Sequence, residues 1–155
     1  MEKFSVLMSV YAREQSAYLK EALRSVFVQT VPPSEVVLVK DGPLTTELEA
    51  VIASFAGRYK SLKIVALTQN MGLGNALNVG LSACTYRLVA RMDSDDLSLP
   101  GRFEAQLRVF DEYPDVSVVG GWISEFDKDP KDIISYRKLP QTDRELKLIC
   151  QLKIH

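Results

Sequence analysis

The feature that most constrains the fold is an alternation of short apolar runs with helix-patterned stretches from Phe4 to about Gly120. The runs are rich in Val, Leu and Ile and are apolar at successive positions, a pattern typical of parallel strands that are buried on both faces. They occupy residues 4–10, 36–39, 62–67, 86–90 and 116–119. We therefore expect these runs to form the strands of one buried sheet.

The stretches between the runs repeat their apolar residues every three to four positions, as amphipathic helices do. These stripes cover residues 19–27, 48–55, 73–81 and 103–110. The second stripe opens on the capping-box pattern Thr46-x-x-Glu49, and Ser98 is a candidate cap for the last. Strands and helices in this order predict right-handed βαβ crossovers, and hence an α/β fold with an open, mainly parallel sheet flanked by helices.

The pattern changes after Gly120, where shorter polar and apolar pieces follow one another. We expect strands at residues 122–126 and 133–136 and a helix at residues 143–152. The sequence then stops within a helical pattern that has no closing signal, so we expect a piece of a longer protein.

Composition excludes several classes of protein. A chain of 155 residues, 46% of them hydrophobic, fits one globular domain. Its 19 Lys and Arg against 20 Asp and Glu give a net charge of -1, which argues against a nucleic-acid binder. We expect no secretory leader and no membrane span, because no stretch approaches ~18 uninterrupted apolar residues. Cys84 and Cys150 form no CxxC pair, so a reducing cytoplasm is the default location.

Polar side chains follow four of the predicted strands at the points where the strands end. These are Tyr11, Asp41, the segment 69–74 and the acidic segment, which we define as residues 93–96 with the sequence Asp-Ser-Asp-Asp. The carboxyl ends of parallel strands meet at one edge of an open sheet, where such folds bind their ligands. We therefore expect these residues to line one site.

The acidic segment has two interpretations, a cation site and a helix cap. Three carboxylates in four residues repel one another, and a divalent cation relieves that repulsion. Mg2+ or Mn2+ takes one or two protein carboxylates and leaves its other positions to water and phosphate oxygens, which suits a diphosphate ligand. Alternatively, the acids lie in a solvated loop that caps the helix after them.

The other candidates also have a structural and a ligand-binding reading each. Asp41 belongs to a turn or accepts a hydrogen bond from the edge of a base. Tyr11 packs in the fold or stacks on a base. Arg91 faces a phosphate or pairs with the acidic segment.

Gly72 and Gly74 resemble the start of a dinucleotide fingerprint, but Leu77 stands at the position of its third glycine, so a nicotinamide site is rejected. The two glycines either let backbone N–H groups approach an anionic ligand at a helix N-terminus or form a plain turn.

Four segments in this order resemble a nucleotide-sugar-dependent glycosyltransferase of family 2, which has the GT-A fold. They are residues 5–11 (SVLMSVY), 25–30 (SVFVQT), 70–80 and 93–102. Residues 41–45 and 91–96 are similar to the amylovoran-type transferases of bacterial exopolysaccharide and O-antigen assembly.

The resemblance implies a metal-dependent, inverting transfer of a hexose from a UDP-sugar to a saccharide or lipid-linked acceptor. It implies that Tyr11 and Asp41 hold the uracil, while Asp93 and Asp95 contact the ribose and the metal. The implied donor-binding residues are Tyr11, Glu14, Asp41, Asn70, Gly72, Asn78, Arg91, Asp93, Ser94 and Asp95. The metal, Mn2+ or Mg2+, would be held by Asp95 and Asp96.

The resemblance also implies a division of labour. Residues 1–155 would be the donor-binding portion, inactive by itself, with the acceptor-binding part and the catalytic base beyond them. The parent protein would be cytoplasmic, with peripheral association at the inner face of the membrane through a lipid-linked acceptor.

Two other classes stay open. One is a sugar-nucleotidyltransferase, which should carry a glycine-rich loop directly after the first strand; this chain has residues 11–14 (YARE) there, which argues against that class. The other is a non-catalytic nucleotide-binding or interaction module, in which the acids only cap a helix.

Overall fold

The structure, a computed structural model, describes residues 2–127, 129–139 and 142. Its elements in chain order are β1 (Phe4–Val10), α1 (Ser16–Phe27), β2 (Glu35–Lys40), α2 (Thr46–Arg58), β3 (Leu62–Ala66), α3 (Leu73–Ala83), β4 (Leu88–Asp93), α4 (Arg102–Glu112), β5 (Ile123–Phe126) and β6 (Ile133–Arg137). The helix predicted at residues 143–152 lies outside the described residues. None of the described helices is both long and apolar enough to cross a membrane.

The first four strands form a parallel sheet in the order β3-β2-β1-β4, which confirms the predicted open α/β architecture. Val10 pairs with Lys40 and Ser9 pairs with Asp93, so β1, β2 and β4 end at the same edge. β2 and β3 lie on one side of β1, whereas β4 lies on the other side, so the order in which strands are added to the sheet reverses after β3. Open α/β sheets bind their ligands at the carboxyl ends of the strands near such a switch point.

Alternate residues of the central strands enter two separate cores, as the two-residue period of a strand requires. Val6, Met8 and Leu38 pack against α1, α2 and α4 on one face. Leu7 and Val39 pack against α3 on the other face. The prediction of strands buried on both faces holds for β1 and β2.

The outer strands differ from that prediction. In the described sheet β3 and β4 are the outermost strands, and Ile64 of β3 is 41% exposed. β4 also starts later than predicted and continues to Asp93, which makes this aspartate the last residue of the strand.

Two predicted helix caps are wrong. The N-cap of α2 is Thr45, whose Oγ1 accepts the N–H of Leu48 at 3.3 Å, and Thr46 is the first helical residue. The capping-box pattern favoured Thr46 because Glu49 stands three residues after it, but the carboxylate of Glu49 pairs with Lys40 at 2.6 Å. Ser98 does not cap α4, because that helix begins only at Arg102.

The strand predicted at residues 116–119 is also wrong. This segment is irregular and Val118 is 85% exposed. Strand propensity depends on a neighbouring strand, and within the described part of the chain no strand pairs with these residues.

The chain divides into two compact units, Met1–Glu112 and Tyr113–His155. In the second unit β5 and β6 form the predicted pair of strands, and they are antiparallel. Glu125 of β5 accepts hydrogen bonds from Ser135 and Arg137 of β6, and Lys138 lies over the ring of Trp122 at 4.9 Å.

Candidate functional site

The carboxyl edge of the parallel sheet carries the predicted site residues of β1 and β2. Tyr11 directly follows β1 and is 45% exposed, so its ring is accessible to a ligand. Asp41 directly follows β2 and its N–H donates to the carbonyl of Val10 at 2.8 Å. The sheet therefore brings the backbones of these two positions to neighbouring strand ends.

Asp41 is buried, with 3% of its surface exposed, and both of its carboxylate oxygens accept hydrogen bonds from the chain. Oδ1 accepts the N–H of Met71 at 2.7 Å and Oδ2 accepts the N–H of Gly72 at 3.1 Å. A carboxylate is favoured at this position because the N-terminus of α3 presents unpaired N–H groups and a positive dipole end. Asp41 thus holds the start of α3 to the end of β2.

Two loops meet closely around this carboxylate. Gly42 has φ +86°, and a Cβ at that position would lie 2.6 Å from the backbone nitrogen of Asn70. Asn70 in turn donates from Nδ2 to the carbonyl of Asp41 at 3.3 Å and accepts the N–H of Gly72 on Oδ1 at 3.2 Å. Gly72, the N-cap of α3, has φ +83°, a conformation that favours glycine. The residues 41–42 and 70–72 therefore form one unit.

Asn78 lies on the exposed surface of α3, in its second turn. No contact of its side chain is described, and its carbonyl accepts the hydroxyl of Ser82 at 3.1 Å. Its assignment to the donor site stays a prediction.

The acidic segment begins at the end of β4. Nη2 of Arg91 contacts Oδ1 of Asp93 at 2.6 Å, so this arginine pairs with the acidic segment. Ser94 is 6% exposed and donates its hydroxyl to Oε2 of Glu14 at 2.7 Å. Glu14, predicted only through the family resemblance, is therefore connected directly to the acidic segment.

The two remaining acids of the segment are exposed. Within the described residues the carboxylate of Asp95 has no hydrogen bond or ion pair. Partial desolvation, together with the charges of Asp95 and Asp93, raises the pKa of Asp96 above its ordinary value. The charges of Arg102 and Arg91 oppose this shift without cancelling it.

Arg102 is half-buried beside these acids. Its Nη2 donates to the carbonyl of Arg91 at 3.0 Å, and Nη1 lies 3.1 Å from the sulfur of Met92. Burial lowers the pKa of this guanidinium, against the raising effect of Asp96 and Asp93. The guanidinium stays charged, because its ordinary pKa lies far above neutrality.

The acidic segment fits a divalent cation of the kind that substrate phosphates help to bind. No three carboxylate, imidazole or thiolate groups of the described residues converge into a complete metal cage. Mg2+ and Mn2+ do not need one, because one or two carboxylates suffice when phosphate oxygens and water complete the shell. Asp95 is free to act as a ligand. Burial is the largest cause of the raised pKa of Asp96, and the charges of Asp95 and Asp93 add a repulsion that a cation would relieve.

A groove of about 490 Å³ lies elsewhere, between α1 and α2. Its lining includes Lys20, Arg24, Phe55, Arg58 and Tyr59. None of the predicted donor-binding residues lines this groove, which separates it from the carboxyl edge of the sheet.

Sequence reasoning missed part of this site. It did not identify the N–H of Met71 as a partner of Asp41, because a backbone donor leaves no mark in the residue type. It also gave residues 25–30 no role beyond the family resemblance, although Ser25, Gln29 and Thr30 contact the loop that follows the acidic segment.

The chain is similar to known proteins over most of its length. The family model described as "Glycosyl transferase family 2" matches residues 5–154. An uncharacterized glycosyltransferase of Haemophilus influenzae is 45% identical over 93% of this chain and 54% of its own length. The UDP-Gal:alpha-D-GlcNAc-diphosphoundecaprenol beta-1,3-galactosyltransferase of Escherichia coli is 43% identical over 94% of this chain and 52% of its own. The amylovoran biosynthesis glycosyltransferase AmsE of Erwinia amylovora is 41% identical over 97% and 55%. The chain thus spans about half the length of the curated relatives it matches.

Two solved structures are similar to this chain. The crystal structure of S. aureus TarS 1-349 in complex with UDP-GlcNAc has 30% identity and a TM-score of 0.64, covering 72% of this chain and 32% of that one. The mannosyltransferase PcManGT from Pyrobaculum calidifontis, in complex with GDP-Man and Mn2+, has a TM-score of 0.64 over 84% of this chain and 37% of its own. Its identity is 22%, so that likeness concerns the fold alone.

Proposed function

The chain belongs to glycosyl transferase family 2, and on that premise we propose that residues 1–155 form the donor-binding portion of an inverting glycosyltransferase. The enzyme would move a hexose from a UDP-sugar to a saccharide or lipid-linked acceptor in bacterial polysaccharide synthesis. The acceptor-binding part and the catalytic base would lie in the portion of the relatives that this chain does not match.

The observation that carries the proposal is the state of the acidic segment at the carboxyl edge of the sheet. Asp95 is exposed and has no partner in the described part of the chain, and the pKa of Asp96 is raised. If these acids only capped a helix, they should meet the N–H groups of α4. That helix begins at Arg102, and no described hydrogen bond connects the acids with its first turn. A ligand-binding role is therefore favoured over a capping role.

The names of the relatives support the choice of donor and acceptor. The S. aureus structure contains UDP-GlcNAc, and the E. coli relative is named for galactosyl transfer from UDP-Gal to a diphosphoundecaprenol-linked sugar. The Erwinia relative is named for amylovoran biosynthesis. A lipid-linked acceptor would bring the parent protein to the cytoplasmic face of the membrane as a peripheral protein.

In this proposal different residues of the carboxyl edge bind different parts of the donor. Tyr11 would stack on the uracil, and Asp41 would contribute to the uracil site by keeping the loop 70–72 in place beside it, through the N–H groups of Met71 and Gly72. Asp93 would face the ribose, and Asp95 and Asp96 would hold Mn2+ or Mg2+.

The chemistry follows from that arrangement. When bound, the divalent cation would offset the negative charge that develops on the departing nucleoside diphosphate. An acceptor hydroxyl, deprotonated by a carboxylate outside this chain, would attack the anomeric carbon from the face opposite the diphosphate. This chain alone would bind the donor without transferring its sugar.

A thermal-shift titration with UDP, with and without Mn2+, tests the proposal on the wild type and on Asp95→Ala. UDP at about 100 times its dissociation constant should stabilise the wild type by roughly 2.7 kcal/mol, and only when Mn2+ is present. Asp95→Ala should lose this stabilisation. Asp111→Ala is the matched control, because it removes an exposed carboxylate from α4.

The outcomes separate the alternatives. Equal stabilisation of the wild type and Asp95→Ala would place the ligand elsewhere, and no stabilisation by UDP with Mn2+ would contradict the donor-binding assignment. Transfer of a sugar to any acceptor by residues 1–155 would contradict the division between donor-binding portion and base. GDP in place of UDP provides the test of base selectivity.

A further inference from the structure

The end of α1 is joined by hydrogen bonds to the loop that follows the acidic segment. The N–H of Ser98 donates to Oγ of Ser25 at 2.9 Å, and Nε2 of Gln29 donates to the carbonyl of Ser98 at 3.1 Å. The N–H of Thr30 donates to the carbonyl of Pro100 at 2.9 Å, and its hydroxyl contacts the same oxygen at 3.2 Å. We call Ser25, Gln29 and Thr30 the α1 anchor.

The anchor is itself held in place by α1. The hydroxyl of Ser25 donates to the carbonyl of Ala22 at 2.7 Å, and Nε2 of Gln29 also donates to the carbonyl of Ser25 at 2.8 Å. The positions of both side chains therefore follow from the last turn of the helix. Because α1 packs in the main core through Leu23 and Val26, the anchor rests on a rigid element.

The other end of the acidic segment is attached to the same stretch of chain. Ser94 donates to Glu14, which lies in the connection between β1 and α1. Residues 95–97 therefore span the interval between two attachment points, Ser94 and Ser98, and both are held by residues 14–30. This is the part of the segment that carries the exposed carboxylates of Asp95 and Asp96.

The anchor is not arranged for maximal stability. Oγ of Ser98 and Oε1 of Gln29 are buried, and neither has a hydrogen-bond partner among the described residues. Unpaired buried polar atoms are unfavourable. An apolar contact between α1 and the loop would join the two elements without them, so the polar anchor calls for another explanation.

We propose that Ser25 and Gln29 are positioning residues, which hold Ser98 so that Asp95 and Asp96 are presented to the metal and the diphosphate in a fixed geometry. The inference rests on the proposed function and assigns a role to residues 25–30, which that function does not use. Pre-organisation of ligand groups by the residues behind them raises affinity, because the ordering is complete before the ligand arrives.

The test compares Ser25→Ala, Gln29→Leu and the double variant with the wild type. Three quantities are measured on each: the dissociation constant of UDP in the presence of Mn2+, backbone amide exchange across residues 93–99, and the urea midpoint of unfolding. We expect exchange of residues 93–99 to accelerate and the dissociation constant to rise about tenfold in the double variant, with smaller effects in each single one.

Two further variants make the test specific. Ser25→Thr keeps a hydroxyl for the N–H of Ser98, so it should restore affinity to within about twofold of the wild type. Ser98→Ala removes a hydroxyl that has no described partner and leaves the backbone contacts in place, so it should bind as the wild type does. A merely structural role for Ser25 would lower the urea midpoint and accelerate local exchange, but it would leave the dissociation constant of UDP with Mn2+ unchanged in the folded protein.

Each other outcome counts against the inference in a distinguishable way. Wild-type affinity in the double variant, despite faster exchange of residues 93–99, overturns the positioning role and leaves the donor site intact. Unchanged exchange in that segment, or an equal acceleration throughout the sheet, also overturns it. Failure of the wild type itself to bind UDP with Mn2+ removes the proposed function, and the inference falls with it.

Discussion

The amino edge and the carboxyl edge of the parallel sheet, where its strands begin and end, carry acidic residues that differ in their hydrogen bonding. At the amino edge Glu35 accepts hydrogen bonds from the hydroxyl of Ser5 at 2.6 Å and from the N–H and hydroxyl of Thr85 at 2.5 and 3.0 Å. At the carboxyl edge Asp95 has no described partner and the pKa of Asp96 is raised. The same chemical group is satisfied by the chain at one edge and left available for a ligand at the other.

Asp41 shows that position alone does not decide which state applies. It also lies at the carboxyl edge, yet it is buried and accepts the N–H groups of Met71 and Gly72. The comparison therefore teaches that the fold itself uses a carboxylate whose acceptors are filled, whereas a carboxylate with open acceptors is left available to a ligand.

Replacing Asp41 should produce the largest change in stability. Asp41→Ala removes the acceptor of the Met71 N–H and one of the two acceptors of the Gly72 N–H, which also reaches Oδ1 of Asn70. A hydrogen bond to a charged group contributes about 1.5–3 kcal/mol. We expect a loss of about 3 kcal/mol in the free energy of unfolding, measured by urea denaturation. A loss below about 1 kcal/mol would mean that water replaces the carboxylate and that Asp41 is not structural.

Replacing Glu35 should have a smaller effect that depends on pH. Burial alone would raise the pKa of Glu35, but the hydrogen bonds from Ser5 and Thr85 outweigh it and the pKa is lowered. A lowered folded-state pKa stabilises the fold above the unfolded-state pKa, and this contribution disappears as the pH falls through the folded-state pKa. Because the carboxylate is partly exposed, we expect Glu35→Gln to lose about 1 kcal/mol at neutral pH.

The pH series distinguishes this charge effect from a packing effect. The free-energy difference between the wild type and Glu35→Gln should vanish under acidic conditions, where the carboxyl of Glu35 is protonated. A difference that persists at low pH would show that the contacts of the amide, and not the loss of charge, are responsible, because glutamine is nearly the same size as glutamate.

Replacing Asp95 should have the smallest effect on stability. The side chain is exposed and has no partner in the described part of the chain, so Asp95→Ala should stay within about 0.5 kcal/mol of the wild type. Isothermal titration with UDP and Mn2+ should nevertheless show a loss of binding. A clear destabilisation in urea would contradict the assignment of open acceptors to this residue.

Much of the fold followed from local patterns. Apolar runs predicted β1 and β2 because a strand buried on both faces must be apolar at successive positions. The same rule misplaced a strand at residues 116–119, because pairing depends on a partner strand that the pattern does not contain. It also overstated the burial of β3, because being at the edge of a sheet is a property of the order of the strands.

The candidate site was predictable in composition and less so in contacts. The acidic segment and Asp41 were predicted from the residue types that follow the strands, and the structure brings their strands to one edge. Arg91 had two readings, and the structure pairs it with Asp93. The side-chain contacts of the α1 anchor join residues that are 69 to 73 positions apart in the sequence. No local sequence pattern encodes contacts at that separation.

The sequence by itself determined the alternation of strands and helices, the parallel sheet and the acidic character of its carboxyl edge, because these depend on the period and type of neighbouring residues. Only the tertiary structure decided which carboxylates accept hydrogen bonds from the chain and which are left without a described partner. That choice depends on which donors from distant segments reach each carboxylate: Met71 and Gly72 reach Asp41, Ser5 and Thr85 reach Glu35, and none of the described donors reaches Asp95.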